Sequence, residues 1–125
     1  MQRPDLQALI ARHDAAWNAQ DLDAIMACYR PDIVFTNYNA GESASGAPAV
    51  REHLGGIFAG WPDLRFRGRR LYVCDEFAVS EWTATATHGD GRRLEWDGVD
   101  VFPFADGLIA RKDVYTTAHA ARVLP

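Results

Sequence analysis

Two aspartates near one hairpin turn are the residues best placed to do chemistry. Asp106-Gly107 separates two runs of alternating polarity and reads as a two-residue hairpin turn, which sets residues equidistant from it opposite each other. Asp100 is then expected opposite Asp113, Phe102 opposite Arg111 and Phe104 opposite Ile109, with Trp96 and Tyr115 on the same face by alternation. Bare carboxylates in that position repel. On a covered face one of them must be protonated or paired with Arg111, which is how acid/base sites divide their roles. On a solvated face the same residues are exposed charges, or a salt-bridge network with Arg111 and Lys112. The other face offers Val99, Val101, Ala110 and Val114, apolar enough to need cover of its own.

The other candidate groups form no metal or nucleophile motif. His13, His53, His88 and His119 lack HxxxH or HExxH spacing, so no metal site is expected. His13 falls on the apolar stripe of a helix, where it is either a satisfied core histidine or a donor lining a pocket. Ser43, Ser45 and Ser80 sit in no GxSxG elbow, and the glycine pairs match neither GxGxxG nor a P-loop, so no nucleotide cofactor is implied. Arg65, Arg67, Arg69 and Arg70 alternate as one solvated strand face, so no nucleic-acid partner is expected.

These residues must be positioned by a single domain. The chain has 125 residues, a net charge of −4, 48% hydrophobic and 24% charged residues, which fits one globular domain spanning residues 1–125 and no membrane span. No signal-peptide h-region follows Met1, and Cys28 and Cys74 read as two buried thiols, so a cytoplasmic location is expected. Apolar spacing predicts a helix from Pro4 to Ala19. A second, capped by Asp21, carries Leu22, Ile25, Met26 and Tyr29 and is ended by Pro31. Ile33–Phe35 reads as a strand, 37–46 as a polar loop, and Ala47-Pro48 as the start of a third helix bearing Val50, Leu54, Ile57 and Phe58. Within that helix Gly55 and Gly56 suggest a close backbone approach or a frayed end. Beyond Trp61-Pro62-Asp63 the period becomes two, giving four strands over 64–73, 77–88, 94–104 and 108–117. The order predicts an α+β fold: three N-terminal helices covering one face of a curved antiparallel sheet. Because helices can cover one face only, a homodimer through the outer sheet face is expected.

Several stretches together carry a resemblance. Trp17-Asn18-Ala19-Gln20-Asp21-Leu22-Asp23-Ala24, Tyr29-Arg30-Pro31-Asp32-Ile33-Val34-Phe35, Ala49-Val50-Arg51-Glu52-His53-Leu54, Trp61-Pro62-Asp63-Leu64, Glu81-Trp82-Thr83-Ala84-Thr85 and Gly98-Val99-Asp100-Val101-Phe102 resemble the SnoaL-like polyketide cyclase group of the nuclear transport factor 2-like superfamily. The resemblance spans essentially the whole chain. It implies a cone-shaped α+β barrel, cystatin-like in class, with a deep pocket between sheet and helices, and commonly a homodimer. Asp113 resembles the proposed general acid/base of those cyclases, and Asp100 the protonated oxyanion-hole aspartate of the related ketosteroid isomerases. Those isomerases carry an aspartate where this chain has Asn37, and a tyrosine where it has His13, so steroid isomerisation by their mechanism is not implied.

The resulting expectation is a pocket for a small, apolar, carbonyl-bearing metabolite, with cofactor-independent acid/base chemistry of the aldol, isomerisation or dehydration class (a lyase or isomerase). Asp113 would move the proton, with Asp100 or His13 bonding the enolate. Trp17, Phe35, Asn37, Tyr38, Phe58, Trp82, Trp96, Phe102, Arg111 and Tyr115 are the candidate substrate contacts. The face of Trp82 depends on the length of the turn at Gly89-Asp90-Gly91. A non-catalytic binding or scaffolding module is the alternative.

Overall fold

The computed structural model describes residues 5–117 and 121–125; Pro4 and His119 lie outside them. Helix α1 (Leu6–Ala19) is capped by the Asp5 carboxylate, which accepts from the Ala8 N–H at 2.9 Å. It ends at Gln20, in the left-handed conformation. Helix α2 (Leu22–Met26) is capped by Asp21 and is shorter than its periodicity suggests. Tyr29, expected on its apolar face, is instead the first residue of β1 (Tyr29–Asn37). Pro31 therefore sits inside a strand. It is tolerated because regular pairing of β1 with its neighbour is interrupted between Tyr29 and Val34.

The expected loop at 37–46 is largely a hairpin. Gly41, at φ 68°, turns the chain back so that β2 (Glu42–Ser45) pairs with the end of β1. Helix α3 (Ala47–Gly60) follows with Pro48 in its first turn. It runs on unbroken past Gly55 and Gly56, and a methyl added at Gly55 would meet Leu22 only at an ordinary 3.8 Å. Four long strands follow: β3 (Arg65–Val73), β4 (Phe77–Thr87), β5 (Arg93–Ala105) and β6 (Leu108–Thr116). A short β7 (Arg122–Val123) returns to β5. The sheet order is β2-β1-β6-β5-β4-β3, antiparallel except where β1 joins β6 in parallel. Strand β3 is an edge, and its arginines are exposed there. Cys74, just past that edge, is exposed rather than buried, whereas Cys28 lies in the core, and both are free thiols.

The helices pack on one sheet face around Ile10, Ile25, Ile33, Leu54, Phe102 and Ile109, all fully buried. The Asp106-Gly107 turn forms as read, with both residues at positive φ (53° and 77°). Its register holds only for Phe104/Ile109 and Ala105/Leu108. Beyond them Ala110, Arg111 and Lys112 face only Phe102 and Pro103, a β-bulge in β6. Pro103 has no N–H to give the ladder, and the Phe104 N–H bonds the Glu76 carbonyl at 2.9 Å instead. The slip reverses every β6 side chain past the bulge. Asp100 lies opposite Val114, not Asp113, and Asp113 lies opposite Val101.

The β4–β5 ladder runs without a slip to Thr87/Arg93, setting Trp82 opposite Gly98 on the helix-covered face. The Trp82 indole lies flat across that glycine. A Cβ at position 98 would stand 2.3 Å from the Trp82 ring. Gly98→Ala is therefore expected to cost about 1–3 kcal/mol in urea unfolding and to alter the tryptophan emission. Unchanged stability would mean that the ring is free to move aside.

Candidate functional site

Between α1, α3 and the concave sheet face is a cavity of about 260 Å³. Trp17 from α1, Phe35 from β1, Phe66 from β3, Trp82 from β4 and Trp96 from β5 supply aromatic walls, while Asn37, Glu42 and Thr116 supply polar groups. The turn after α3 adds Trp61 and Leu64. A narrower recess of about 40 Å³ shares Trp17, Phe66, Trp82, Asp100 and Lys112 with it and reaches His13, Asp14 and Ser80.

The charged centre of both is Asp100 with Lys112. The bulge turns Lys112 inward, next to Phe35 on β1, and both members of the pair are buried, at 6% and 4% exposure. Nζ of Lys112 stands 3.8 Å from Asp100 Oδ2, too long for a hydrogen bond, and 3.4 Å from the centroid of the Trp17 ring. Among the described residues, Asp100 Oδ1 and the Trp82 indole N–H are buried without a hydrogen-bond partner. The indole still lies near enough to favour the ionised carboxylate, though not in bonding geometry. Burial dominates, raising the Asp100 carboxyl to about 6 against the pull of Lys112. Burial likewise lowers Lys112, opposed by Asp100 and Asp14.

His13 is buried beside this pair but is fully engaged. Its Nδ1 bonds Asp14 at 3.0 Å, and its Nε2 lies 2.8 Å from the Tyr29 hydroxyl, which also accepts from the Trp17 indole N–H at 3.2 Å. The consistent assignment has Nδ1–H donating to Asp14 and Nε2 accepting from Tyr29. Burial holds the imidazole neutral, with its pKa down at about 4. The chain of bonds fixes the Trp17 ring beneath Lys112.

Of the residues singled out in the sequence, Trp17, Phe35, Asn37, Trp82, Trp96 and Asp100 line the cavity. Phe58 and Phe102 are packed behind it, against Trp17 and His13. Asp113, Arg111, Tyr38 and Tyr115 are on the outer side: Arg111 bonds Asp113 at 3.2 Å, and the two tyrosines stack at 4.7 Å. Val114, expected outside, is buried and lines the cavity. Lys112 is the residue sequence reasoning undervalued. It carries one signal: it is the single lysine among 13 basic residues. Among the described residues no cluster of His, Cys, Asp or Glu could hold a metal, and no helix is long and apolar enough to cross a membrane.

A family model for the SnoaL-like domain matches residues 10–112. The chain belongs to the SnoaL-like domain family. No curated protein matches its sequence. Among solved structures, the epoxide hydrolase/cyclase-like enzyme SalBIII, described in pyran ring formation in the polyether salinomycin, superposes with a TM-score of 0.83 at 17% identity over 95% of each chain. A cystatin-fold protein from Novosphingobium aromaticivorans gives 0.77 at 24% identity, over 90% of this chain and 98% of the other. A ketosteroid isomerase-like fold from Catenulispora acidiphila, in complex with trimethylamine, gives 0.80 at 12%, over 94% and 88%. At such identities the likeness is one of fold, and it places this SnoaL-like domain among the cystatin-like, ketosteroid isomerase-type α+β barrels.

Two buried groups of the domain titrate in opposite senses. Asp100 keeps its proton up to about pH 6 in the fold against 3.8 unfolded, so its contribution falls as pH rises between those values. His13 takes a proton at 6.5 when unfolded but only near 4 in the fold, so its contribution rises with pH across 4 to 6.5. The two nearly cancel. Asp63, Asp90 and Asp97, held low by hydrogen bonds, act below that window. The wild-type unfolding free energy is thus expected to be nearly flat from pH 4 to 6.5, while that of Asp100→Asn climbs by about 3 kcal/mol. Urea titrations across the window test this, and parallel profiles would refute it.

Proposed function

We propose that this SnoaL-like domain binds a small, apolar, carbonyl-bearing molecule in the aromatic cavity and moves a proton at the carbon next to its carbonyl. The observation that carries the reading is the buried Asp100–Lys112 pair, with Asp100 Oδ1 unpartnered, among the aromatic walls of the cavity. A carboxyl titrating near 6 is suited to both accept and return a proton near neutral pH. Lys112 and the free Trp82 N–H are the groups available to stabilise an enolate oxygen. Asp100 takes the role that the family resemblance implied for Asp113, and His13, with Nε2 occupied by Tyr29, holds the scaffold. The reaction class is cyclisation, isomerisation or dehydration, and SalBIII's described part in pyran ring formation supports the first of these.

A substrate-independent test is exchange of the α-protons of 1-indanone in D2O, followed by proton NMR. Asp100→Asn is expected to slow enzyme-dependent exchange by about 10²–10⁴-fold while leaving affinity, read from tryptophan quenching, within about tenfold. Ligand binding without exchange in the wild type would mark a binding module. Loss of rate in Asp113→Asn alone would return the role to Asp113.

The same reading includes a homodimer. Tyr72 and Phe77 (56% and 44% exposed), with Val79, Val99 and Val101, form an apolar outer sheet face that a second copy would cover. Val101→Glu is expected to shift sedimentation from dimer to monomer with the fold intact. The free thiols of Cys28 and Cys74 fit a reducing compartment, so the cytoplasm is the proposed location.

A further inference from the structure

Lys112 is unusual on three independent grounds. It is the single lysine of the chain, and every other basic side chain is arginine. It is buried, lines both the cavity and the recess beside it, and among the described residues has no hydrogen-bonded acceptor, the Asp100 carboxylate oxygen standing 3.8 Å away. It rests over the Trp17 indole, which Tyr29 and His13 hold in place.

A cation needed only to neutralise Asp100 and cover an indole would be better served by arginine, whose planar guanidinium stacks on rings and grips carboxylates with two bonds. What lysine can do and arginine cannot is give up its proton and act as a nucleophile. We propose that Lys112 is an imine-forming amine, attacking the carbonyl carbon of the ligand with Asp100 shuttling the protons. This rests on the carbonyl-ligand reading above and makes it specific: the substrate class becomes aldehydes and ketones whose carbonyl reaches Nζ.

The step balances with no further reactant. Asp100 first takes a proton from the Lys112 ammonium, leaving a free amine and a carboxylic acid. Filling the cavity favours this transfer, because a ligand that expels water raises the cost of keeping two charges there. The Nζ lone pair then forms the C–N bond while the carbonyl π pair moves to oxygen, which takes the Asp100 proton. Asp100 recovers a proton from the nitrogen and passes it to the hydroxyl, which leaves as water. The product is a protonated imine beside a carboxylate, so the charge pattern over Trp17 is that of the resting pair. The electron-poor imine acidifies the adjacent C–H, and the Asp100 carboxylate is at hand to remove that proton.

Besides Asp100 on β5, the ionisable groups around Nζ are Asp14 and His13 on α1, with Glu42 on β2 also lining the cavity. Asp14 opposes loss of the proton. The neutral His13 does not. Burial of Nζ outweighs both aspartates, favouring the free amine relative to an exposed lysine.

The single lysine makes the experiment clean. Cavities of about 150 Å³ admit benzene, so the probes are benzaldehyde and 2-naphthaldehyde, each incubated with the full chain and sodium cyanoborohydride at pH 7. Intact-mass and peptide-mass spectrometry then read a gain equal to the aldehyde less one oxygen. The expected result is one adduct on Lys112, formed at least tenfold faster than the adduct on the Met1 α-amine. Lys112→Arg, which keeps the cation over Trp17, should bind the aldehyde, by tryptophan quenching, yet show only the α-amine adduct. An aldehyde that quenches the wild-type tryptophans but is not fixed on Lys112 overturns the imine and leaves the binding reading standing. If neither aldehyde quenches nor labels, both fall.

Discussion

A lysine ammonium buried against an indole, with one aspartate beside it, is the constraint to which the rest of this domain answers. Removing a charge from water costs several kcal/mol unless partners replace the lost hydration. The two nearest to Lys112 are the Trp17 ring face at 3.4 Å and the Asp100 carboxylate at 3.8 Å, with the Phe35 and Phe102 rings farther off at 5.9 Å. Neither of the two nearest is free to drift. Trp17 is tied through its N–H to Tyr29, Tyr29 to His13, and His13 to Asp14 at the solvent edge. Asp100 is held on the central strand β5, its face fixed by the long ladder to β4. Where partners are this few, both groups shift toward their neutral forms, the carboxyl upward and the amine downward.

That arrangement depends on one irregularity. Without the bulge opposite Phe102 and Pro103, Asp113 would point at Asp100 and Lys112 would lie outside beside exposed side chains. With it, unlike charges meet inside. The Arg111–Asp113 pair is left to the outer face, where the tyrosine stack of Tyr38 and Tyr115 also lies. The bulge thus converts a repulsive pair of acids into a polarised acid and amine. It also completes the cavity wall, because Val114 turns inward with Lys112.

The SnoaL-like domain is a scaffold on which unrelated chemistries are mounted, so the barrel by itself says little about reaction. Its use here is geometric. A curved sheet capped by α1 and α3 leaves space that the core does not fill, and the rings of Trp17, Phe35, Trp61, Phe66, Trp82 and Trp96 border it. Rings close the volume at low entropic cost and keep water scarce, which strengthens every charge effect within. Gly98 serves the same end by making room for the Trp82 indole.

Much of this was legible in the residues alone. The α+β class, three helices, the four long strands and the Asp106-Gly107 turn follow from apolar period, capping aspartates and turn chemistry, all local properties. Alternation likewise groups Asp100, Trp96 and Phe102 on one sheet face, without deciding which face the helices cover. The extent of α2, the β2 hairpin and the register of β6 were not legible, because each depends on what a segment meets across space. Pro31 reads as a helix stop in sequence but sits in an unpaired stretch of strand. Asp113 and Lys112 are adjacent in the chain, and alternation alone requires one of them to face inward. A proline on the neighbouring strand, unable to complete the ladder, marks where the register slips, and only the assembled sheet decided that the inward residue is Lys112.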